Sequence, residues 1–246
     1  MQFGAVTDIG MRRKINEDNY YVNESDTFPY AIVADGMGGH QAGEIASMML
    51  VDIISNHLEK HLDKELDYVE AGEIIRRSFI SANTIIYNYA KNHYKIMGMG
   101  TTATCAMIYQ NKIITAHVGD SRAYMIGDDI KQITKDHSYV QELVSRGEIS
   151  PEMAKNHPKK NYITRAIGAE DTVKVDISIK PYNGEVIVLC SDGLTNFVED
   201  NEIMNYIKNN DSLQEGAEKL VELANSRGGG DNITIVAFER EKCDNE

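Results

Sequence analysis

The 246-residue chain holds only three cysteines, Cys105, Cys190 and Cys243, and no two of them form a CxxC pair. That spacing argues against a disulfide framework and against a cysteine zinc site. Cys105 and Cys190 lie inside apolar runs, which predicts core positions for both. No apolar run approaches the ~18 to 20 residues that cross a bilayer, and Met1-Gln2-Phe3 leads into strand-like sequence without a basic, then apolar, signal region. The expectation is a cytoplasmic protein with no membrane partner. Basic residues are scarce: 25 Lys and Arg stand against 38 Asp and Glu, a net charge of −13. A nucleic-acid binder needs a basic face, so nucleic acid is not expected as a partner. No solenoid or propeller repeat shows, and no low-complexity linker divides the chain, which reads as one domain over 1–246.

What is present is an ordinary supply of apolar residues, 42% of the chain, arranged in two kinds of periodicity. Ala5-Val6-Thr7 and Tyr30 to Ala34 read as strands. Ala42 to Leu58 sets Ile45, Met49, Ile53 and His57 at four-residue steps beside Ala46, Leu50, Ile54 and Leu58, one apolar helical face. Val69 to Tyr89 repeats this through Ile74, Ile75, Phe79, Ala82, Ile85, Ile86 and Tyr89. From Ala103 the period changes to short β-rich pieces broken at Gln110-Asn111 and Gly127-Asp128-Asp129, an antiparallel meander. Lys174 to Val198 continues in that style, Asn201 to Lys208 and Leu213 to Ser226 read as helices, and "NITIVAFE" as a last strand. Strands grouped with strands and helices with helices predict an α+β fold with helices on the outer faces of the sheets. The polar, locally basic segment of about 138–167, with Ser150-Pro151 as a helix start, reads as a surface excursion.

Four aspartates stand beside glycine where an apolar run meets a turn: Asp35 in "VADGMGGH", Asp120 in "VGDSRAY", Asp192 in "CSDGL" and Asp231 in "GGGDNIT". Asp-Gly is a common turn dipeptide, and one instance carries no more than that. Four on the most buried strands suggest a shared site, where packed like charges raise one another's pKa unless cations neutralise them. All-oxygen ligands suit magnesium or manganese. Upstream, "MRRKINEDNYYV" places Arg13 five residues before Asp18; it reads as a solvated charge patch or as an arginine fork for a phosphate, with Glu17 and Asp18 facing cations or their waters.

Together, "RxxNED", "VADGMGGHQAGEIAS", "GTT", "VGDSRAY", "CSDGL" and "GGGDNIT", in this order from Thr7 to Phe238, resemble the metal-dependent serine/threonine protein phosphatases of the type 2C class, in its compact bacterial branch. The resemblance implies a four-layer α/β/β/α sandwich of two mainly antiparallel sheets. It implies that Asp35 bridges two metals with the Gly36 carbonyl on one of them, that Asp192 and Asp231 complete the other shell, and that Asp18 acts through a metal-bound water. Asp120 resembles a position that, with Asp192, holds a third metal. Arg13 resembles the phosphate-binding arginine and His40 a general acid. The 138–167 excursion resembles a flap beside the active site.

The chemistry so implied is hydrolysis of phosphoserine and phosphothreonine monoesters by a metal-bound water or hydroxide, with two or three manganese or magnesium ions. Phosphate monoesters are among the slowest uncatalysed hydrolyses, with accelerations reaching about 10²¹. No protein nucleophile is needed, which agrees with the lack of a CxxxxxR loop. Phosphorylated proteins as substrates, a cognate serine/threonine kinase and a monomeric state complete the expectation. Two rivals stay open: a two-metal nuclease or phosphodiesterase, and a sensor or scaffold that keeps the fold without turnover.

Overall fold

Side-chain alternation along β-strands divides this molecule into its layers. The computed structural model describes residues 1–38 and 42–240, with the backbone alone at Lys95. In β3 (Tyr30–Met37), Ala31 and Val33 are buried in one apolar cluster, while Tyr30, Ile32 and Ala34 belong to another. In β11 (Ile233–Glu239), Val236 and Phe238 join the first cluster, while Ile233, Ile235 and Ala237 enter a third. A period of two that is apolar on both faces means a sheet covered on both sides. Two sheets are therefore stacked face to face, each with helices on its outer side.

The first sheet runs β1-β11-β10-β7-β8, from β1 (Gln2–Asp8), β7 (Arg122–Ile126), β8 (Ile130–Gln132) and β10 (Val186–Cys190). The second runs β2-β3-β5-β6-β9, from β2 (Asp18–Asn23), β5 (Ala103–Tyr109), β6 (Lys112–Val118) and β9 (Asp176–Pro181), with the short β4 (Gly100–Thr101) also paired to β3. Every pairing of named strands is antiparallel. The expected break at Gln110-Asn111 is a two-residue hairpin with both residues at positive φ, 47° and 55°.

Outside the second sheet lie α1 (Ala42–His61) and α2 (Tyr68–Asn92), whose Leu50, Ile54, Phe79 and Ile86 pack with Ile32, Cys105 and Met107. Outside the first lie α6 (Asp200–Lys208) and α7 (Leu213–Ser226), whose Ile203, Ile207, Leu220 and Ala224 pack with Tyr124, Val188 and Ile235. This is the α/β/β/α sandwich, and Cys105 and Cys190 are buried free thiols. Between β8 and β9 run the short α3 (Tyr139–Ser145) and α4 (Pro151–Lys155), the latter capped by Ser150 with Pro151 in its first turn. Among the described residues, no helix is long and apolar enough to cross a membrane.

The helical faces differ in detail from their periodicity. On α2, Ile85 and Tyr89 are exposed at 44% and 39%, and the buried stripe runs instead through Ala71, Ile75, Ser78, Phe79, Ala82 and Ile86. A 3.6-residue repeat leaves a four-step ladder drifting off the face within a few turns. β2 was not expected at all. Asp18, Asn19 and Asn23 are poor strand formers, and β2 is held by pairing with β3 at the sheet edge.

Candidate active site

Antiparallel pairing brings to one end of the sandwich the starts of β2, β5, β7 and β11 and the ends of β1, β3, β6 and β10. Asp18 opens β2 and is the cross-strand partner of Asp35. Asp35 does not end its strand as the Asp-Gly pair suggests. β3 continues to Met37, and Gly36 and Met37 pair with Thr101 and Gly100 of β4. Asp120 sits in the turn after β6, Asp192 is the first residue of the one-turn α5 (Asp192–Thr195), and Asp231 precedes β11. Arg13 lies in the loop between β1 and β2. All the proposed site residues except His40 thus meet at this end; His40 lies outside the described residues.

Burial and mutual charge both act on these carboxylates. Burial, and then the charges of Asp18, Asp192, Asp120 and Asp231, hold the Asp35 carboxyl well above its ordinary pKa. Burial pushes Asp18 up to about 7, against opposing hydrogen bonds from Ser191 and Thr234 and with the charges of Asp192 and Asp231 adding to it. Asp120 rises to about 8 through burial and the Asp192 charge. Asp192 rises to about 6 through burial and Asp231, opposed by a hydrogen bond from Asn196. A protein that stabilised these groups by itself would pair them; among the described residues this one leaves buried oxygens without partners, Oδ1 of Asp18, Asp120 and Asp192 and Oε1 of Glu17.

Buried carboxylate oxygens without partners at one end of the sandwich are donors of the kind a hard divalent cation takes, with no sulfur or imidazole among these four. Among the described residues, no three His, Cys, Asp or Glu side chains are arranged to hold an ion alone. That is compatible with shells that take a backbone carbonyl and waters beside one or two carboxylates, and with carboxylates that repel one another without a cation. The donor chemistry fits; the surface depression of about 430 Å³ along α1, lined by Asp52, Asn56, His57 and Lys60 among others, includes none of these carboxylates.

Local structure explains the placement. Thr102 clamps Asp35: its hydroxyl accepts from the Asp35 amide at 2.9 Å, and its amide donates to the Asp35 carbonyl at 2.8 Å. That hydroxyl also meets Ser121 Oγ at 2.7 Å, beside Asp120. Gly119, at φ +115°, makes the turn that presents Asp120, a conformation that L side chains rarely adopt. Gly36 has no room for a side chain, because an added Cβ would overlap the Gly43 carbonyl of α1 and come within 2.6 Å of the Glu17 carbonyl. Gly36→Ala is expected to cost about 1 to 3 kcal/mol through this overpacking. Thermal denaturation checks it, and an unchanged Tm would show that α1 yields freely.

Several residues that organise the site were not read from the sequence. Ser191 Oγ donates to Asp18 Oδ2 at 2.7 Å and accepts from the Thr234 amide at 2.9 Å, joining the two sheets beneath the carboxylates. Asn232 holds the Arg13 loop: its Nδ2 donates to the Ile9 and Ile15 carbonyls at 2.9 and 3.0 Å, and its Oδ1 accepts from the Glu17 amide at 2.9 Å. The only available signal was adjacency, Ser191 to Asp192 and Asn232 to Asp231. At the rim, Arg13 is half exposed and its Nη2 donates to Asp231 Oδ2 at 2.7 Å.

Comparison with known proteins agrees with this geometry. The protein phosphatase 2C family model matches residues 11–233. The chain is 43% identical over 238 residues to the serine/threonine phosphatase stp of Listeria monocytogenes, covering 96% of this chain and 94% of that one. The crystal structure of the serine/threonine phosphatase Stp1 from Staphylococcus aureus superposes with a TM-score of 0.91 at 36% identity, over 97% of this chain and 94% of that one. The catalytic domain of the serine/threonine protein phosphatase PstP, crystallised with two manganese ions, superposes with a TM-score of 0.82 at 33% identity, over 96% of both chains. Matched by this family model over most of its length and by relatives of this identity and coverage, the chain belongs to the protein phosphatase 2C family and is a serine/threonine protein phosphatase.

Proposed function

We propose that this phosphatase hydrolyses phosphoserine and phosphothreonine monoesters with two or three divalent cations, manganese or magnesium. Asp35, the Gly36 carbonyl, Asp192 and Asp231 would hold two of them, Asp18 would act through water, and Asp120 with Asp192 would hold a third. The observation that carries the reading is the set of unpartnered buried oxygens on Asp18, Asp120 and Asp192; the two manganese ions of the PstP structure support the count. When bound, such cations supply an activated water for in-line attack and offset charge on the phosphoryl oxygens.

The chain's own residues do the rest. Arg13 uses one of its guanidinium donors on Asp231, leaving others to orient the phosphate. Ser191 and Thr102 keep Asp18 and Asp35 in place, so little reorganises when charge develops. His40 donates the proton to the leaving alcohol. Residues 138–167 act as a flap beside the site, and the protein works as a monomer in the cytoplasm on phosphorylated proteins, opposing a cognate serine/threonine kinase.

The test is phosphate release from a phosphothreonine peptide by chelator-stripped protein with manganese or magnesium restored, and Asp192→Asn in parallel. Metal-dependent release that the variant loses is expected; release by the stripped protein alone would overturn the cation requirement. Cleavage of a diester and not of a monoester would favour the phosphodiesterase reading. Arg13→Ala is expected chiefly to raise KM, by weakening phosphate binding common to ground and transition states. Steady-state kinetics checks it, and a loss confined to kcat would contradict that role.

A further inference from the structure

Asn196 lies four residues after Asp192, at the C-terminal end of α5. Its side-chain Nδ2 donates to Asp192 Oδ2 at 3.0 Å. Its Oδ1 accepts from Lys160 Nζ at 3.3 Å. The other Asp192 oxygen, Oδ1, is buried and has no partner among the described residues. A carboxylate held at one oxygen has a defined orientation, so the contact from Asn196 decides which oxygen is left for the cluster. Lys160 belongs to the 138–167 segment, which meets the same wall again where Lys155 Nζ lies 2.5 Å from Glu199 Oε2. At its base, Ile167 bridges to Thr101, whose partner in β3 is Gly36. The segment therefore touches the site at two places, through Thr101 beside Gly36 and through Asn196 beside Asp192.

We propose that Asn196 is a positioning residue, which orients Asp192 for its cation and links that orientation to the docking of segment 138–167 through Lys160; this rests on the reading of Asp192 as a cation ligand. A lysine on Oδ1 polarises the Asn196 amide and holds it in the pose that donates to Asp192. Docking of the segment then tightens the cation. Because a coupling free energy is reciprocal, the cation must stabilise the docked segment by the same factor. No change in the backbone of the sandwich is required.

The experiment measures Mn²⁺ binding directly, by calorimetry on chelator-stripped full-length chain, for wild type, Asn196→Ala, Lys160→Ala and Asp192→Asn. Hydrogen exchange of residues 150–163 is followed in each with and without Mn²⁺. Asn196→Ala is expected to weaken Mn²⁺ about tenfold, the usual loss when a residue that orients a ligand is removed. Lys160→Ala is expected to weaken it about twofold to fivefold, as for an exposed charged contact. Mn²⁺ should slow exchange of the segment in wild type and not in either of these variants. Asn196 and Lys160 are both exposed, so the metal-free Tm should not move, which separates positioning from a general loss of structure. Wild-type affinity in Asn196→Ala, or an unchanged exchange response in both variants, would overturn the proposal. Wild-type binding by Asp192→Asn would instead remove Asp192 as a ligand and the proposal with it.

Discussion

Asp35→Asn is expected to lower turnover on a phosphothreonine peptide by at least ~100-fold while the chain stays folded. Even residues that only orient a metal ligand cost about 10- to 100-fold in metal affinity or activity when removed, and Asp35 is read as a direct ligand to two cations. Its carboxyl stands amid Asp18, Asp120, Asp192 and Asp231, so their charges raise its pKa further after burial has done so. Replacing it with an amide of the same shape removes that repulsion, and the Thr102 contacts are to its backbone and survive. The metal-free variant should therefore melt no lower than metal-free wild type. Activity and melting checks are made on the same preparation. A folded variant with near wild-type turnover would contradict the assignment of Asp35.

The second large effect is a metal-free stability that falls as pH rises while the stabilisation contributed by Mn²⁺ grows. Asp18 at about 7, Asp120 at about 8 and Asp192 at about 6 keep their protons in the fold, to a higher pH than the ~3.9 of an unfolded aspartate. A folded-state pKa above the unfolded value means that the native chain binds more protons, so metal-free stability falls as pH rises through the interval between them. His117, which burial lowers to about 4, works in the other direction, but only below the ~6.5 of an unperturbed histidine. The fall from about pH 6.5 to 8 therefore belongs to the carboxylates. Mn²⁺ binds the deprotonated cluster, so its stabilisation grows over the same interval. At about 100-fold above its dissociation constant it contributes ~2.7 kcal/mol, or roughly 5 to 10 °C in Tm for a chain of this size. Melting curves at pH 5, 6.5 and 8 with and without Mn²⁺ measure both. A Tm increment independent of pH, or a metal-free protein that becomes more stable from 6.5 to 8, would contradict the cluster.

The parts of this architecture that were legible in the sequence are those that local physics decides. α1 and α2 were visible as apolar stripes, the Gln110-Asn111 hairpin as a turn between β-rich runs, and the helix start at Ser150-Pro151 as a cap with proline behind it. The stripe on α2 was misjudged at Ile85 and Tyr89 because those residues stay exposed on the outer layer. β2 was missed because its edge residues have no strand preference of their own and depend on the register with β3. Asp35, Asp120, Asp192 and Asp231 could be found because each stands beside glycine in, or within two residues of, a buried strand. The groups that hold them could not be, because their partners are remote: Ser191 lies 173 positions from Asp18, and Thr102 lies 67 from Asp35. Only the stacking of two sheets makes them neighbours. Asn196 escaped notice for a different reason, since an exposed asparagine after a one-turn helix looks like any other cap.

The unpartnered oxygens of Asp18, Asp120 and Asp192, with Asp35 and Asp231, hold divalent cations if this site works as proposed. Anomalous diffraction at the manganese edge, from crystals of the wild-type chain grown with Mn²⁺, tests it most directly. At least two peaks are expected at the end of the sandwich, flanking Asp35 and within ligand distance of Asp192 and Asp231. Crystals with no anomalous peak among these carboxylates, or with manganese only elsewhere on the surface, would contradict it.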